Sequence, residues 1–476
     1  MLFNTFSFAI FFAVTCPVFF LLPSRFQRGF LLAASYYFYM CWSVPYIGVI
    51  IAITLIDYCA GIAIEEAHGA RRRLFLTLSI LSNFGLLFAF KYADFFSAML
   101  HAGIPQLHWL LPVGISFHTF QAVSYTVEVY RGSVRAERNL LSYALYVAFF
   151  PQMVAGPIER PGHLLPQLHQ PKNFDFPRLR SGLRLALWGL IKKSMVADLV
   201  APLVNTVYAR PRDFAGPMLA LATLLFAVQI FCDFSGYSDM AVGLARILGY
   251  DLTMNFRHPY SAKDIAGFWR RWHISLSTWF RDYLYIPLGG NRVSALRWGG
   301  VVLLVFLVSG LWHGANWTFV VWGGLHGLYL LGGAMTRPLR LKLATISGLA
   351  RLPRLWALER IITTNLLVGI AWIFFRAKSV SDGVYVVSHL CNLTGNVAGF
   401  QPENLFRAGL PRFELALVPL AAFVVFCGEY LREHRPRICQ LAWNRRPVRW
   451  LAYAGAIYSV VFFGVFQHLE FIYFQF

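Results

Sequence analysis

The sequence predicts an all-α polytopic integral membrane protein, and three observations predict it. Apolar stretches near bilayer length recur from end to end, charged residues are scarce, and the basic ones gather in short connectors. Of 476 residues, 58% are hydrophobic and 13% charged, about half the charged fraction of a soluble domain, and the mean hydropathy is positive. A bilayer crossing takes roughly 20 mostly apolar residues. By that measure the chain offers about 11 spans, at 3–22, 28–45, 46–66, 74–91, 140–155, 183–208, 217–248, 299–333, 361–375, 413–431 and 449–468. No long Ser/Gly linker, low-complexity tract or internal repeat divides them, so a single membrane domain over 1–476 is the economical organisation, with its chemistry concentrated at about 140–335. Missing paired hydropathy halves argue against repeat-built transporters.

Taken in order, the connectors set the expected orientation. Arg25 and Arg28, Arg71 to Arg73, Arg178 to Arg184, and Lys192 with Lys193 account for much of the formal charge of +20. Positively charged loops stay in the cytoplasm, so two crossings separate the first two clusters and the N-terminus is expected outside. No Lys or Arg precedes Arg25, so a cleavable leader with a basic start is not indicated. Anionic headgroups and topology explain the charge without nucleic acid. Lys192 and Lys193 read as residues snorkelling from a helix end, the alternative being attraction of a phosphate-bearing donor. Seven scattered cysteines form no Cys-x-x-Cys pair, and with no His-Glu-x-x-His motif a metal site is not expected.

Further along, Phe150-Pro-Gln-Met-Val-Ala-Gly-Pro-Ile-Glu-Arg160 breaks a span at Gly156 and Pro157. Non-helical backbone at that depth suits a protein interior or a wet cavity. Segments 163–184 and 336–360 are Pro- or Arg-rich and read as cytoplasmic loops or surface helices, and 378–412 is the longest weakly apolar connector near the C-terminus. Asp233 and Asp239 lie in an apolar stretch and need partners. Arg246, Arg270, Arg271 or Arg281 are the expected donors, so both acids read first as core-bracing ion pairs, with orienting a histidine as the second reading and a metal site as the last.

The most informative stretch is Phe268–Pro287. Plotted as one helix, it carries Trp269, Trp272, Leu276, Trp279, Phe280 and Tyr283 on one stripe and Arg270, His273, Ser277 and Arg281 on another. An amphipathic helix at the headgroups would show the same pattern, but Tyr285-Ile-Pro-Leu-Gly-Gly-Asn-Arg292 then turns the chain back as a re-entrant segment would. His313 is the sharper candidate. It lies in a run, 301–330, with no Asp, Glu, Lys or Arg, where an imidazole can take and return a proton near neutral pH. A plain helix-bridging histidine is the alternative. Trp312, Asn316 and Trp317 beside it suggest an enclosed site, with Gly310 and Gly314 allowing close approach. His326 follows thirteen residues later, about 20 Å along an unbroken helix, and reads as a supporting residue unless Gly323-Gly324 breaks that helix.

Phe268-Trp-Arg-Arg-Trp-His-Ile-Ser-Leu-Ser-Thr-Trp-Phe-Arg-Asp-Tyr-Leu-Tyr-Ile-Pro-Leu-Gly-Gly-Asn-Arg292 and Gly310-Leu-Trp-His-Gly-Ala-Asn-Trp317 together resemble the signature of the membrane-bound O-acyltransferase family. The branch most resembled is the bacterial alginate O-acetyltransferases, with support from Phe150–Pro157, Asp233-Phe-Ser-Gly-Tyr-Ser-Asp239, Trp372-Ile-Phe-Phe-Arg376 and Phe471–Phe476. The resemblance implies helices around a central tunnel, with His313 as the essential histidine and His273 as the second. It implies an O-acetyltransferase of the bacterial inner membrane that uses a cytoplasmic thioester, acetyl-CoA or an acyl carrier, with no tightly bound cofactor. The acceptor would be an exported polysaccharide, reached through a periplasmic partner related to the Ser-Gly-Asn-His hydrolases. His273 is then expected to be protonated and His313 neutral. Trp269, Arg270, Arg271, Ser277, Arg281, Asp282, Trp312, Asn316 and Trp317 are the expected substrate or tunnel-lining residues. Peptidoglycan O-acetylation or teichoic-acid D-alanylation is the nearest alternative, and a polysaccharide or lipid transporter the alternative from another class.

Overall fold

A computed structural model describes residues 1–100, 109–154, 156–392, 414–464 and 472. Residues 393–412 of the expected connector 378–412 and most of the Phe471–Phe476 motif lie outside the described residues. Among those described, helices form without any strand. The chain makes two compact units, 1–189 with 237–254, and 190–236 with 255–476.

The first unit begins with α1 (Phe6–Leu21), capped by Thr5, whose Oγ1 accepts the Phe8 amide at 3.3 Å. There follow α2 (Ser24–Met40), α3 (Ile47–Glu66), α4 (Gly69–Leu87) and α5 (Ala93–Leu100). Next come α6 (Ile115–Arg131), α7 (Leu140–Ala148), α8 (Phe150–Met153), α9 (Pro161–His169) and α10 (Phe176–Lys192), whose last residues, from Leu190 on, belong to the second unit. Helix α6 was not among the expected spans. Its polar His118, Thr119, Gln121, Ser124 and Thr126 lower its hydropathy, yet all are buried. A polar residue can sit there because neighbours receive it: Gln121 Nε2 donates to the Tyr146 carbonyl at 2.6 Å. Asp57 of α3, which nothing in the sequence singled out, is fully buried and accepts from Ser79 Oγ at 2.6 Å and Asn83 Nδ2 at 2.8 Å. Such pairing is what a carboxylate needs away from water. The expected span 140–155 is instead the short α7 and α8, kinked at Phe149 and Phe150.

The second unit continues with α11 (Asp198–Ala209) and α12 (Gly216–Ile247), whose last turns belong to the first unit. It then holds α13 (Ile265–Trp269), α14 (Ile274–Phe280), α15 (Ala295–His313), α16 (Trp317–Met335), α17 (Arg337–Ile346), α18 (Pro353–Arg376) and α19 (Val380–His389). Helices α20 (Glu414–His434), α21 (Pro436–Asn444) and α22 (Arg446–Phe463) complete it. Six helical stretches among the described residues are long and apolar enough to cross a membrane: 47–66, 69–99, 216–247, 295–313, 317–335 and 353–376.

Two expected elements are redrawn. The stretch 299–333 is a hairpin of α15 and α16, broken at Gly314–Asn316 and not at Gly323-Gly324, which lie inside α16. The break is local chemistry: Gly314 is extended and the Asn316 side chain caps α16 by accepting the Thr318 amide at 3.0 Å. Glycines then let the two helices touch. A Cβ on Gly323 would stand 2.1 Å from the Phe306 carbonyl oxygen. The stretch 268–285 is not one helix but α13, a turn at 270–273, α14 and a π turn over Arg281–Tyr285.

Candidate active site

The α13–α14 turn and the α15–α16 turn each deliver one histidine. Asp264 starts α13 by accepting the Gly267 amide at 2.7 Å and is itself tied to Arg360 at 3.1 Å. Four residues later the chain leaves the helix, and His273 takes a left-handed backbone, φ 43° and ψ 57°, before α14 begins. This is a costly conformation for a residue with a Cβ, and such strain tends to mark functional positions. His273 is completely buried, with Phe234 edge-on at 4.7 Å and the Trp312 ring at 6.3 Å. Its full burial among aromatic rings favours the neutral form of the imidazole.

His313 ends α15 and is 4% exposed. Three aromatic rings surround it: Trp312 at 4.9 Å, Trp322 at 4.9 Å and Phe375 at 5.5 Å, all at steep angles. Trp312 therefore touches both histidines. Because the chain turns at Gly314–Asn316, His326 also comes back to this cluster. It packs against Trp322 at 5.1 Å, and its Nδ1 accepts from Trp269 Nε1 at 3.3 Å. The separation expected along one continuous helix does not apply.

Beside this cluster lies a cavity of about 200 Å³, lined by Trp269, Ser277, Arg281, Tyr285, Trp298, Phe306 and Ser309 among others. Ser309 precedes His313 by one helical turn, so the cavity reaches within a turn of that histidine. Its size is below the roughly 300–1,000 Å³ of pockets for drug-sized ligands and suits a small group.

Not every expected residue belongs here. Trp269, Ser277 and Arg281 line the cavity and Trp312 the histidine cluster. Asp282 pairs with its neighbour Arg281 at 2.8 Å. Arg270 points outward, its side chain 72% exposed, 3.9 Å from Asp264. Arg271 Nη1 donates to Ser261 Oγ at 2.9 Å and lies 3.7 Å from Glu433. Asn316 is committed to its cap and to the Lys378 carbonyl at 3.2 Å, and Trp317 is 52% exposed. Neither of these is among the residues lining the cavity described above.

The acids also differ from expectation. Asp233 is held by Lys193, not by an arginine, at 2.7 Å, and its other oxygen accepts the Ile472 amide at 2.8 Å. Lys193 also binds Asp198 at 2.8 Å, and Lys192 binds Glu429 at 2.9 Å. Both lysine side chains are 2% exposed, so neither snorkels. Asp239 falls in the first unit. Among the described residues no three His, Cys, Asp or Glu side chains gather as a metal would require.

Sequence reasoning missed Trp322, Phe375 and Phe234. Trp322 was within reach, since it stands four residues before His326 and shares its helix face. Phe234 and Phe375 lie inside two of the motifs that carry the resemblance, Asp233–Asp239 and Trp372–Arg376, but they come from helices distant in sequence, and nothing local marks them as neighbours of the histidines.

An enclosed helical site with two buried histidines and a small adjoining cavity defines a membrane enzyme. The chain belongs to the membrane-bound O-acyltransferase family, whose sequence model matches residues 31–353, and it is an O-acyltransferase. Its relatives include a probable alginate O-acetylase AlgI of Azotobacter vinelandii, 39% identical over 89% of this chain and 83% of that protein. Another probable alginate O-acetylase AlgI, of Pseudomonas putida, is 34% identical over 99% of both chains. The peptidoglycan O-acetyltransferase of Helicobacter pylori is 34% identical over 78% of this chain and 75% of its own.

Proposed function

We propose that this protein moves an acetyl group from a cytoplasmic thioester, acetyl-CoA, across the bacterial inner membrane for O-acetylation of exported alginate. A periplasmic Ser-Gly-Asn-His-type protein would carry the group onward. The observation that carries the reading is that His273 and His313 both pack on Trp312 inside an aromatic enclosure. The alginate acetylases named above support the acceptor, and the small cavity supports a two-carbon acyl group.

In this mechanism neutral His313 takes the proton of the incoming hydroxyl, whose oxygen attacks the thioester carbonyl carbon. A positioned base of this kind contributes about 10²–10⁴-fold. Neutral His273 donates its N–H to the oxygen that becomes negative, a contribution worth roughly 10²–10³-fold. The C–S bond then breaks, and the departing thiolate recovers the proton from His313. Aromatic walls exclude water, which protects the thioester from hydrolysis.

Peptidoglycan is a second acceptor, favoured by the Helicobacter pylori relative. One experiment separates the two. In an alginate-exporting strain lacking its own membrane acetylase, this protein restores acetyl groups on alginate and His313→Ala, at equal membrane level, does not. Acetylated peptidoglycan with bare alginate supports the second acceptor. Full acetylation by His313→Ala removes His313 from the chemistry.

A further inference from the structure

We infer that Asn255 is a positioning residue that sets His273 for the reaction through four hydrogen bonds between segments 255–257 and 271–275. The inference rests on the role proposed above for His273. Asn255 is 2% exposed and lies in the non-helical stretch after α12. Its backbone carbonyl accepts the Ile274 amide at 2.9 Å. Its side-chain Oδ1 accepts twice, from the Ser275 amide at 3.2 Å and from Ser275 Oγ at 2.7 Å. Two residues on, the Arg257 amide donates to the Arg271 carbonyl at 2.9 Å. The bonds therefore grip the chain on both sides of His273.

That grip explains the backbone of His273. A left-handed residue bearing a Cβ does not persist unless its surroundings over-determine it, and here the flanking residues are tied to a second strand of chain. Without the tie, residues 270–274 are free to relax toward continuous helix between α13 and α14. The His273 ring would then swing off Phe234 and Trp312. Because an amide N–H of Ser275 must donate, the amide oxygen of Asn255 is fixed as the acceptor. Asn255 Nδ2 has no hydrogen-bond partner among the described residues. The amide thus acts through its oxygen, which an aspartate also carries.

The experiment compares reconstituted wild type with Asn255→Ala, Asn255→Asp, His273→Ala and the double variant Asn255→Ala/His273→Ala, measuring kcat, KM for acetyl-CoA and the unfolding midpoint. Asn255→Ala is expected to lose about 10–100-fold in kcat, as a displacement of about 1 Å would cause, with KM within about twofold. Asn255→Asp recovers most of that loss. The double variant is no slower than His273→Ala, because the asparagine works only through that ring. Should Asn255→Ala fail to insert, Ser275→Ala, which keeps the amide and loses one contact, undergoes the same comparison and is expected to lose about 3–10-fold, as a partial displacement would. Wild-type kcat in Asn255→Ala with His273→Ala impaired overturns the inference alone. So does a double variant slowed by the product of the single losses, the mark of an independent structural effect. Wild-type kcat in His273→Ala overturns the inference together with the role of His273.

Discussion

Gly310→Ala puts the hairpin geometry to a quantitative test. A Cβ at this position would stand 2.2 Å from the Phe319 carbonyl oxygen, 3.0 Å from its carbon and 3.4 Å from Gly323 Cα. All three are backbone atoms, so no side chain can swing aside. Restoring an ordinary contact requires α15 and α16 to part by about 1 Å. Overpacking of that kind costs about 1–3 kcal/mol. The displacement falls one turn before His313 and beside the Trp322 wall, and a 1 Å error at a reacting group costs about 10²-fold in rate. Gly300 and Gly332, on the same two helices, have nothing within 4 Å of an added Cβ. Alanine there is expected to leave the rate unchanged and to add up to about 1 kcal/mol through helix propensity. Thiol release from acetyl-CoA in proteoliposomes and thermal unfolding in one detergent would read both quantities. Wild-type rate and stability in Gly310→Ala, or equal losses in Gly300→Ala, would refute the argument.

The buried ion network and the half-exposed His163 give further expectations. Lys193→Met leaves Asp198 and Asp233 facing each other without their shared cation and is expected to cost about 3–5 kcal/mol; adding Asp198→Asn and Asp233→Asn should recover most of it, and an unchanged unfolding midpoint in the single variant would contradict the pairing. His163 is raised above its ordinary pKa chiefly by its hydrogen bond to Glu159. The charged pair therefore stabilises the fold fully below about pH 6.5, and its contribution disappears as pH climbs through the raised value. Its side chain is 45% exposed, so screening keeps the effect small. His163→Gln should flatten the fall in stability above pH 6.5, and an identical pH profile would discount the pair.

The membrane class and the buried position of His313 could be read from the sequence because each leaves a local mark. Hydropathy persists over a bilayer length, and a histidine in a run without charged residues stands out on its own. What escaped was set by contacts across the chain. Helix α6 hides its polar residues against partners such as Tyr146, so its hydropathy understates its burial. Lys193 reads as a residue reaching for water until Asp198 and Asp233 are seen on it. Periodicity placed His273 with Arg270 and Arg281 on one polar face, but the left-handed turn at His273 rotates α14 relative to α13. His273 then goes inside while Arg270 stays out. The amide that grips that turn sits eighteen residues upstream in Asn255, where no periodic pattern points to it. A straight helix would hold His326 far from His313, and three residues, Gly314 to Asn316, break that helix and bring it back.

The most direct test of the central claim is donor turnover in sealed proteoliposomes loaded with acetyl-labelled CoA on the side of the basic connectors. With acceptor or periplasmic partner outside, wild type is expected to release free CoA within and place label outside. His313→Ala, inserted and folded to the same extent, is expected to do neither. Intact donor with wild type, or equal label transfer by His313→Ala, would contradict the assignment of His313 as the base of a transmembrane acetyl transfer.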